Sequence, residues 1–219
     1  MLRLLFEKKG DSVWISHLDL MRVFQRAFRR SGLMVKHSQG FTPRAIVSIA
    51  LPLSVGVESS CELLDFELEG EIPSHDTVCA ELNRTLPAGI RVLQVYDAQR
   101  KIKELTYLRA KLVLEYDCGN PDVVTDKISA MLQREEIIVE KHSRKGKTET
   151  DIRPLMKEYT ISTPDHTTVE LDLLVCAQNS SLNPQLIVDA IGRYCPDVLP
   201  DFSTTVRMEV YDCSGNVFR

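Results

Sequence analysis

Hydrophobic periodicity in this 219-residue chain switches between two-residue and 3.6-residue spacing in the same order twice over. Leu2 to Glu7 is a short apolar run ending in Lys8-Lys9-Gly10-Asp11, which predicts a strand and a turn. A helix is predicted over 17–31. Ser16 offers its hydroxyl as N-cap, Asp19 adds a capping partner and negative charge at the positive helix end, and Gly32 is placed to end the helix in a left-handed conformation. Leu18, Met21, Phe24, Ala27 and Phe28 recur at helical spacing, and Leu20 and Val23 widen the stripe. Then follow Met34 to His37, a turn-rich segment from Ser38 to Pro43, apolar Ala45 to Leu51 and a strand-like stretch from Cys61 to Leu68. A helix over 75–86, capped by Ser74 and stopped by Pro87-Ala88-Gly89, leads to a strand from Ile90 to Tyr96.

The second pass has strands at Ala110 to Tyr116, Ile137 to Lys141, Lys157 to Ser162, Thr168 to Cys176 and Thr205 to Tyr211, with helices at Pro121 to Arg134 and Asn183 to Tyr194. The halves end alike, in Gln94-Val95-Tyr96-Asp97-Ala98 and Glu209-Val210-Tyr211-Asp212-Cys213. This order predicts an α+β protein of two tandem ferredoxin-like (βαββαβ) domains with mostly antiparallel sheets, over 1–98 and 99–219. The charged segment Gln99-Arg100-Lys101-Ile102-Lys103 reads as the linker.

No run approaches the roughly 18 apolar residues of a membrane span, and Arg3, Glu7, Lys8 and Lys9 interrupt what would be a signal peptide. Six cysteines stand singly, with no C-x-x-C. The expectation is a cytoplasmic chain with reduced thiols, no metal site and no cofactor. The net charge of -4 argues against a polyanion partner, but it is unevenly spread. Residues 1–48 hold nine Lys/Arg against three Asp/Glu, a local +6, and the other 171 residues carry -10. Fields act over roughly 8–10 Å, so the basic segment can bind a polyanion on an acidic protein.

Arg22, Arg26, Arg29 and Arg30 fall at i, i+4, i+7 and i+8 and share one helix face. Such a face is either solvated, paired with the acidic run Glu58, Glu62, Asp65, Glu67, Glu69 and Glu71, or a track for phosphates. The segment Ser38-Gln39-Gly40-Phe41-Thr42-Pro43-Arg44 combines a permissive glycine, an aromatic that can stack on a base and a cation, which suits single-stranded RNA. The plain alternative is a turn with Phe41 in the core. His17 and His37, if adjacent, would supply acid–base chemistry on a phosphodiester. Lys141-His142-Ser143-Arg144-Lys145-Gly146-Lys147 predicts a basic hairpin tip that either grips phosphates or stays a solvated loop. Phosphate-cradling glycine motifs, H-E-x-x-H and G-x-S-x-G are absent.

His17-Leu18-Asp19, Ser38-Gln39-Gly40-Phe41-Thr42-Pro43 and Leu51-Pro52-Leu53-Ser54-Val55-Gly56-Val57-Glu58-Ser59 occur in that order, and Asp151-Ile152-Arg153-Pro154 follows in the second half. With these landmarks the chain resembles the radical-SAM-linked family of bacterial proteins, which occur beside or fused behind a radical SAM enzyme. Where that family has an Asn before the proline and a His-Pro-Lys after it, this chain has Thr42 and Arg44-Ala45-Ile46, so Arg44 stands nearest to the family's lysine. The resemblance implies a separate partner chain that carries the iron–sulfur cluster. The present chain has no C-x-x-x-C-x-x-C run to ligate one.

The expectation is a non-catalytic accessory protein that recognises RNA or another anionic substrate for a radical SAM enzyme. Its contact residues would be His17, Asp19, Arg22, Arg26, Arg29, Arg30, His37, Ser38, Gln39, Gly40, Phe41, Pro43 and Arg44, with Lys145, Lys147, Asp151 and Arg153 in the second half. Two alternatives stay open. One is a metal-independent ribonuclease using His17 and His37, and the other is a protein-interaction module docking through residues 58–71 and exposed sheet edges.

Overall fold

The structure of the chain is a computed structural model that describes residues 1–117, 121–143 and 146–219. It divides into two compact units, Met1–Glu104 with Arg219, and Leu105–Phe218. Both are α+β with antiparallel sheet pairing.

In the first unit β1 (Leu2–Lys8) passes through a 3-10 turn (Gly10–Trp14) into α1 (His17–Arg30), followed by β2 (Val47–Ile49), β3 (Glu58–Phe66), α2 (His75–Thr85) and β4 (Ile90–Asp97). β1 lies between β4 and β3, and β2 pairs with the end of β3. Because side chains alternate across a strand, Leu2, Leu4 and Phe6 all face the helices. There they meet Leu64, Phe66, Val92 and Val95 from the sheet, Leu20, Phe24, Ala27 and Phe28 from α1, and Val78 and Leu82 from α2. Phe6 packs edge-on to Phe24 with ring centroids 4.8 Å apart, and Phe28 lies 4.9 Å from Phe66. On the opposite face Arg3, 1% exposed, sits across from Asp65 in the β1–β3 register and binds it with two prongs, Nε to Oδ1 at 2.6 Å and Nη2 to Oδ2 at 3.0 Å.

The apolar stripe of α1 is narrower than its sequence suggests. Leu20 is 1% exposed but Leu18 is 68% exposed. At about 100° per residue Leu18 points roughly 130° away from the centre of the Leu20-Phe24-Ala27-Phe28 stripe, so the sheet cannot cover both. The helix ends obey local chemistry. Ser16 Oγ accepts from the Asp19 amide at 3.2 Å. At the other end the Leu33 amide donates to the Phe28 carbonyl (3.1 Å) and the Gly32 amide to that of Arg29 (3.3 Å), a Schellman ending with Gly32 at φ +75°. A Cβ on Gly32 would meet nothing within 4 Å. Gly32→Ala is therefore expected to cost only the left-handed strain, about 1–2 kcal/mol, read as a lower urea midpoint.

The second unit contains β5 (Leu105–Glu115), α3 (Pro121–Leu132), β6 (Ile138–Ser143), β7 (Gly146–Asp151), β8 (Met156–Ser162), β9 (Thr168–Cys176), α4 (Gln185–Tyr194) and β10 (Phe202–Asp212). Its sheet runs β10-β5-β9-β8, all antiparallel. Leu108, Ala110, Leu112 and Leu114 of β5 and Val169, Leu171, Leu173 and Val175 of β9 are buried on alternating positions, as are Val124, Ile128, Met131 and Leu132 of α3 and Ile187, Ala190 and Ile191 of α4. Burial pushes the Tyr116 phenol up to about 12, and its hydroxyl donates to the Val198 carbonyl at 3.0 Å.

The strand expected from Ile137 to Lys141 is present as β6, which among the described residues pairs with β7 in a two-stranded ribbon and not with the larger sheet. β7 reads Gly-Lys-Thr-Glu-Thr-Asp and has no apolar face to bury in a sheet. The ribbon is held by its inward side. The Ile138 amide donates to Tyr194 Oη of α4 at 2.9 Å, and Val139 is 1% exposed. No helix is long and apolar enough to cross a membrane, and no group of three or more metal-ligating side chains occurs among the described residues.

Candidate anion-binding site

Two segments far apart in the arginine-rich region converge where α1 ends. After the Gly32 turn the chain runs back beside the tail of β3. The Lys36 amide donates to the Glu67 carbonyl (2.9 Å), the Glu69 amide to that of Met34 (2.8 Å), and Val35 bridges to Leu68. The segment after the loop then pairs with this one. The Ile46 amide donates to the Lys36 carbonyl at 2.8 Å, and His37 bridges to Ala45. Ser38 closes the loop neck from both sides, its amide donating to the Arg44 carbonyl (2.8 Å) and its Oγ accepting from the Arg44 amide (3.1 Å). Gln39 to Pro43 project from this neck, with Gly40 at φ +130° and Phe41 fully exposed. Phe41 does not enter the core.

A cavity of about 590 Å³ opens between these segments. Its apolar wall is Phe28, Leu33, Val35, Pro43, Ala45 and Val47; Arg29, His37, Arg44, Gln25 and Glu69 supply its polar groups, and Met34 stands at the edge. The guanidiniums of Arg29 and Arg44 and the imidazole of His37 have no hydrogen-bond or ion-pair partner among the described residues. An anion placed there would meet two permanent positive charges that are engaged in no ion pair among the described residues.

The four helix arginines are not equivalent. Arg22 donates to Asp19 Oδ1 at 2.7 Å. The Ser16 hydroxyl first, and Arg22 second, hold the Asp19 carboxyl below the usual carboxylate range, so Asp19 serves the helix cap and its neighbour. Arg30 donates to the Thr85 carbonyl at the end of α2, at 2.7 Å. Arg26 and Arg29 stay exposed, and Arg29 alone of the four lines the cavity. The acidic run has other partners: Asp65 takes Arg3, Glu67 takes Lys36 at 3.0 Å, and Glu58 accepts from the Gly10 amide at 3.1 Å. Only Glu69 reaches the cavity.

His17 and His37 stand near opposite ends of α1. His17 is its first residue, whereas His37 shares the cavity with Arg29, twelve residues and about 18 Å further along the axis. The His17 Nδ1 is buried without a partner among the described residues. In the second unit Lys147 pairs with Glu140 across the β6–β7 ribbon at 2.7 Å. Asp151 Oδ1 accepts from the amides of Ile137 (2.9 Å) and Arg153 (3.0 Å), fixing the ribbon's exit, and Arg153 opens the 3-10 turn Arg153–Leu155. Lys145 lies outside the described residues. Leu33, Val35, Val47, Gln25 and Glu69 were not singled out from the sequence as site residues. Their apolar or mixed character reads as core or surface until the Lys36–Glu67 and Lys36–Ile46 pairings bring them together.

These features define an α+β protein of mostly antiparallel sheet with a basic, partly apolar cavity beside its first helix. The chain belongs to the family described as "Uncharacterized protein conserved in bacteria (DUF2344)", whose profile matches residues 1–184. Its fold is similar to a chain in the crystal structure of a Cbf5–Nop10–Gar1 complex, with a TM-score of 0.57 and 10% identity over 95% of this chain. The present chain spans 48% of that one. A crystal structure of an unknown protein from Galdieria sulphuraria also aligns, over 96% of each chain at 11% identity, with a TM-score of 0.27. No curated protein matches the sequence.

Proposed function

We propose that this protein is a non-catalytic accessory subunit that binds single-stranded RNA across the Arg26–Arg29 side of α1 and the Ser38–Arg44 loop, and presents it to a radical SAM enzyme in a separate chain. The observation that carries this reading is the meeting of unpaired Arg29, Arg44 and His37 on one cavity, with fully exposed Phe41 on the same loop. Cations with an exposed aromatic beside them are what a single strand requires, since the backbone needs charge and unstacked bases need a ring. The radical SAM partner rests on the resemblance of the three ordered landmarks. Each unit is read as a ferredoxin-like domain, supported by the orders β4-β1-β3 with β2 on β3, and β10-β5-β9-β8, the ribbon being an insertion between α3 and β8. The separation of His17 from His37 speaks against the ribonuclease reading.

The test is fluorescence-anisotropy binding of single-stranded RNA oligonucleotides to the full chain and to the Arg26→Glu/Arg29→Glu/Arg44→Glu variant over a salt series. Removing three phosphate contacts should flatten the slope of log K against log[salt] by about 2, at roughly 0.7 per contact for single strands. An identical slope in the two proteins overturns the RNA reading. Co-purification with the radical SAM enzyme without RNA binding would leave the interaction-module alternative.

A further inference from the structure

We infer that the cavity at the end of α1 is a pocket for one unstacked nucleotide, with its phosphate between Arg29 and Arg44 and its base on the accessible apolar side chains Val35, Pro43 and Val47, behind which Phe28 and Leu33 are buried. This rests on the RNA-binding reading above and names the unit that the site selects.

Size sets the first limit. About 590 Å³ lies within the roughly 300–1,000 Å³ of small-ligand pockets, so a base can enter but a duplex cannot. Composition sets the second. A site for a bare anion would be polar throughout, whereas here the half-buried Val35, Ala45 and Val47 and exposed Pro43 line the same cavity as two guanidiniums, which matches a ligand that is flat and apolar at one end and anionic at the other.

Glu69 sets the third limit and is the most selective. A carboxylate on the wall of an anion pocket repels phosphate, so it favours a ligand that brings hydrogen-bond donors to that side. The exocyclic amino groups of cytosine, adenine and guanine are such donors, whereas uracil has no amino group and its N3–H is flanked by two carbonyl oxygens that the carboxylate repels. Phe41, on the loop that bears Pro43 and Arg44, is then free to stack on the neighbouring base of the strand. The wall is also preorganised. The bonds Lys36–Glu67, Glu69–Met34, Ile46–Lys36 and Ser38–Arg44 fix the backbone of these segments, so entry has to order only side chains such as Arg29 and Arg44.

The phosphate-bearing ring can come from a strand or from a free mononucleotide, and the experiment separates the two. Affinities of the full chain are measured for hexameric single-stranded RNAs of A, C and U, for the same strands with one central abasic site, and for 5′-AMP, 5′-CMP, 5′-UMP and inorganic phosphate. Two variants accompany it, Glu69→Gln and Met34→Trp, both at exposed positions on the cavity edge, with urea midpoints as the folding control. The expected result is an about tenfold preference for amino-bearing bases over uracil that collapses in Glu69→Gln, and an about tenfold loss with an abasic site or with Met34→Trp at unchanged midpoint. Strand binding that is insensitive to abasic sites and to both variants overturns the pocket and leaves the RNA reading standing. Mononucleotide binding sensitive to both variants, without strand binding, keeps the pocket and overturns the RNA reading. Binding of inorganic phosphate as strong as that of the nucleotides, or of no probe at all, overturns the inference.

Discussion

Asp65→Ala should cost this protein about 3 kcal/mol of folding stability, because it leaves the buried Arg3 guanidinium without the carboxylate that balances its charge. Arg3 is 1% exposed, and its charge is met by a two-pronged bond to Asp65 together with a bond from Nη2 to the Arg100 carbonyl at 2.9 Å. Removing one partner of a buried pair typically costs about 3–5 kcal/mol, and the 17% exposure of the Asp65 side chain argues for the lower end. Replacing both partners, as Arg3→Met/Asp65→Leu, removes the desolvation cost along with the attraction and should recover most of the loss. Urea unfolding of the two variants checks this. A loss below about 1 kcal/mol for Asp65→Ala would mean that water reaches the guanidinium and that the pair does not hold β1 to β3 in the way described.

Gly89→Ala should be comparably severe, for a different reason. Gly89 has φ +84°, and an added Cβ would run into the Lys9 carbonyl oxygen and lie 2.8 Å from Ser12 Oγ. The Lys9 amide and the Ser12 hydroxyl both donate to the Gly89 carbonyl, at 2.8 and 2.9 Å, so the obstructing atoms are tied to the very peptide that would have to move. Left-handed strain of about 1–2 kcal/mol adds to an overpacking cost of about 1–3 kcal/mol. Gly32→Ala carries the first cost without the second, since Gly32 at φ +75° faces open space. The difference between the two urea midpoints therefore isolates the clash, and equal midpoints would show that the 9–12 turn yields freely. The contact matters for the site as well, because the Gly10–Trp14 turn delivers the chain to Ser16, where α1 begins.

What could be read from the residues was local. Ser16 and Gly32 bracket α1 because an N-cap hydroxyl and a left-handed glycine act within one turn of themselves. The strands from Leu2 and Cys61 were legible through their apolar runs, and the shared face of Arg22, Arg26, Arg29 and Arg30 through helical spacing. Leu18 misled because a stripe of apolar letters does not tell which edge of it the sheet will cover. The strand from Ile137 was legible, but β-propensity does not name a pairing partner; that was decided by polar β7 and by Tyr194 of α4.

By itself, then, the sequence determined most of the elements, the two ends of α1 and the concentration of positive charge before residue 49, all of which depend on neighbours a few residues apart, whereas β7 and the starts of β3, β5 and β10 lie outside what it showed. Tertiary structure alone decided which charges remain unpaired. Asp19 takes Arg22, the end of α2 takes Arg30 and β1 takes Asp65, while Arg29 and Arg44, fifteen positions apart, line one cavity with Val35, Pro43 and Val47. The same folding keeps His17 and His37 near opposite ends of one helix. Charge pairing is settled by distances of a few ångströms between segments distant in the chain, and strand register and helix length set those distances.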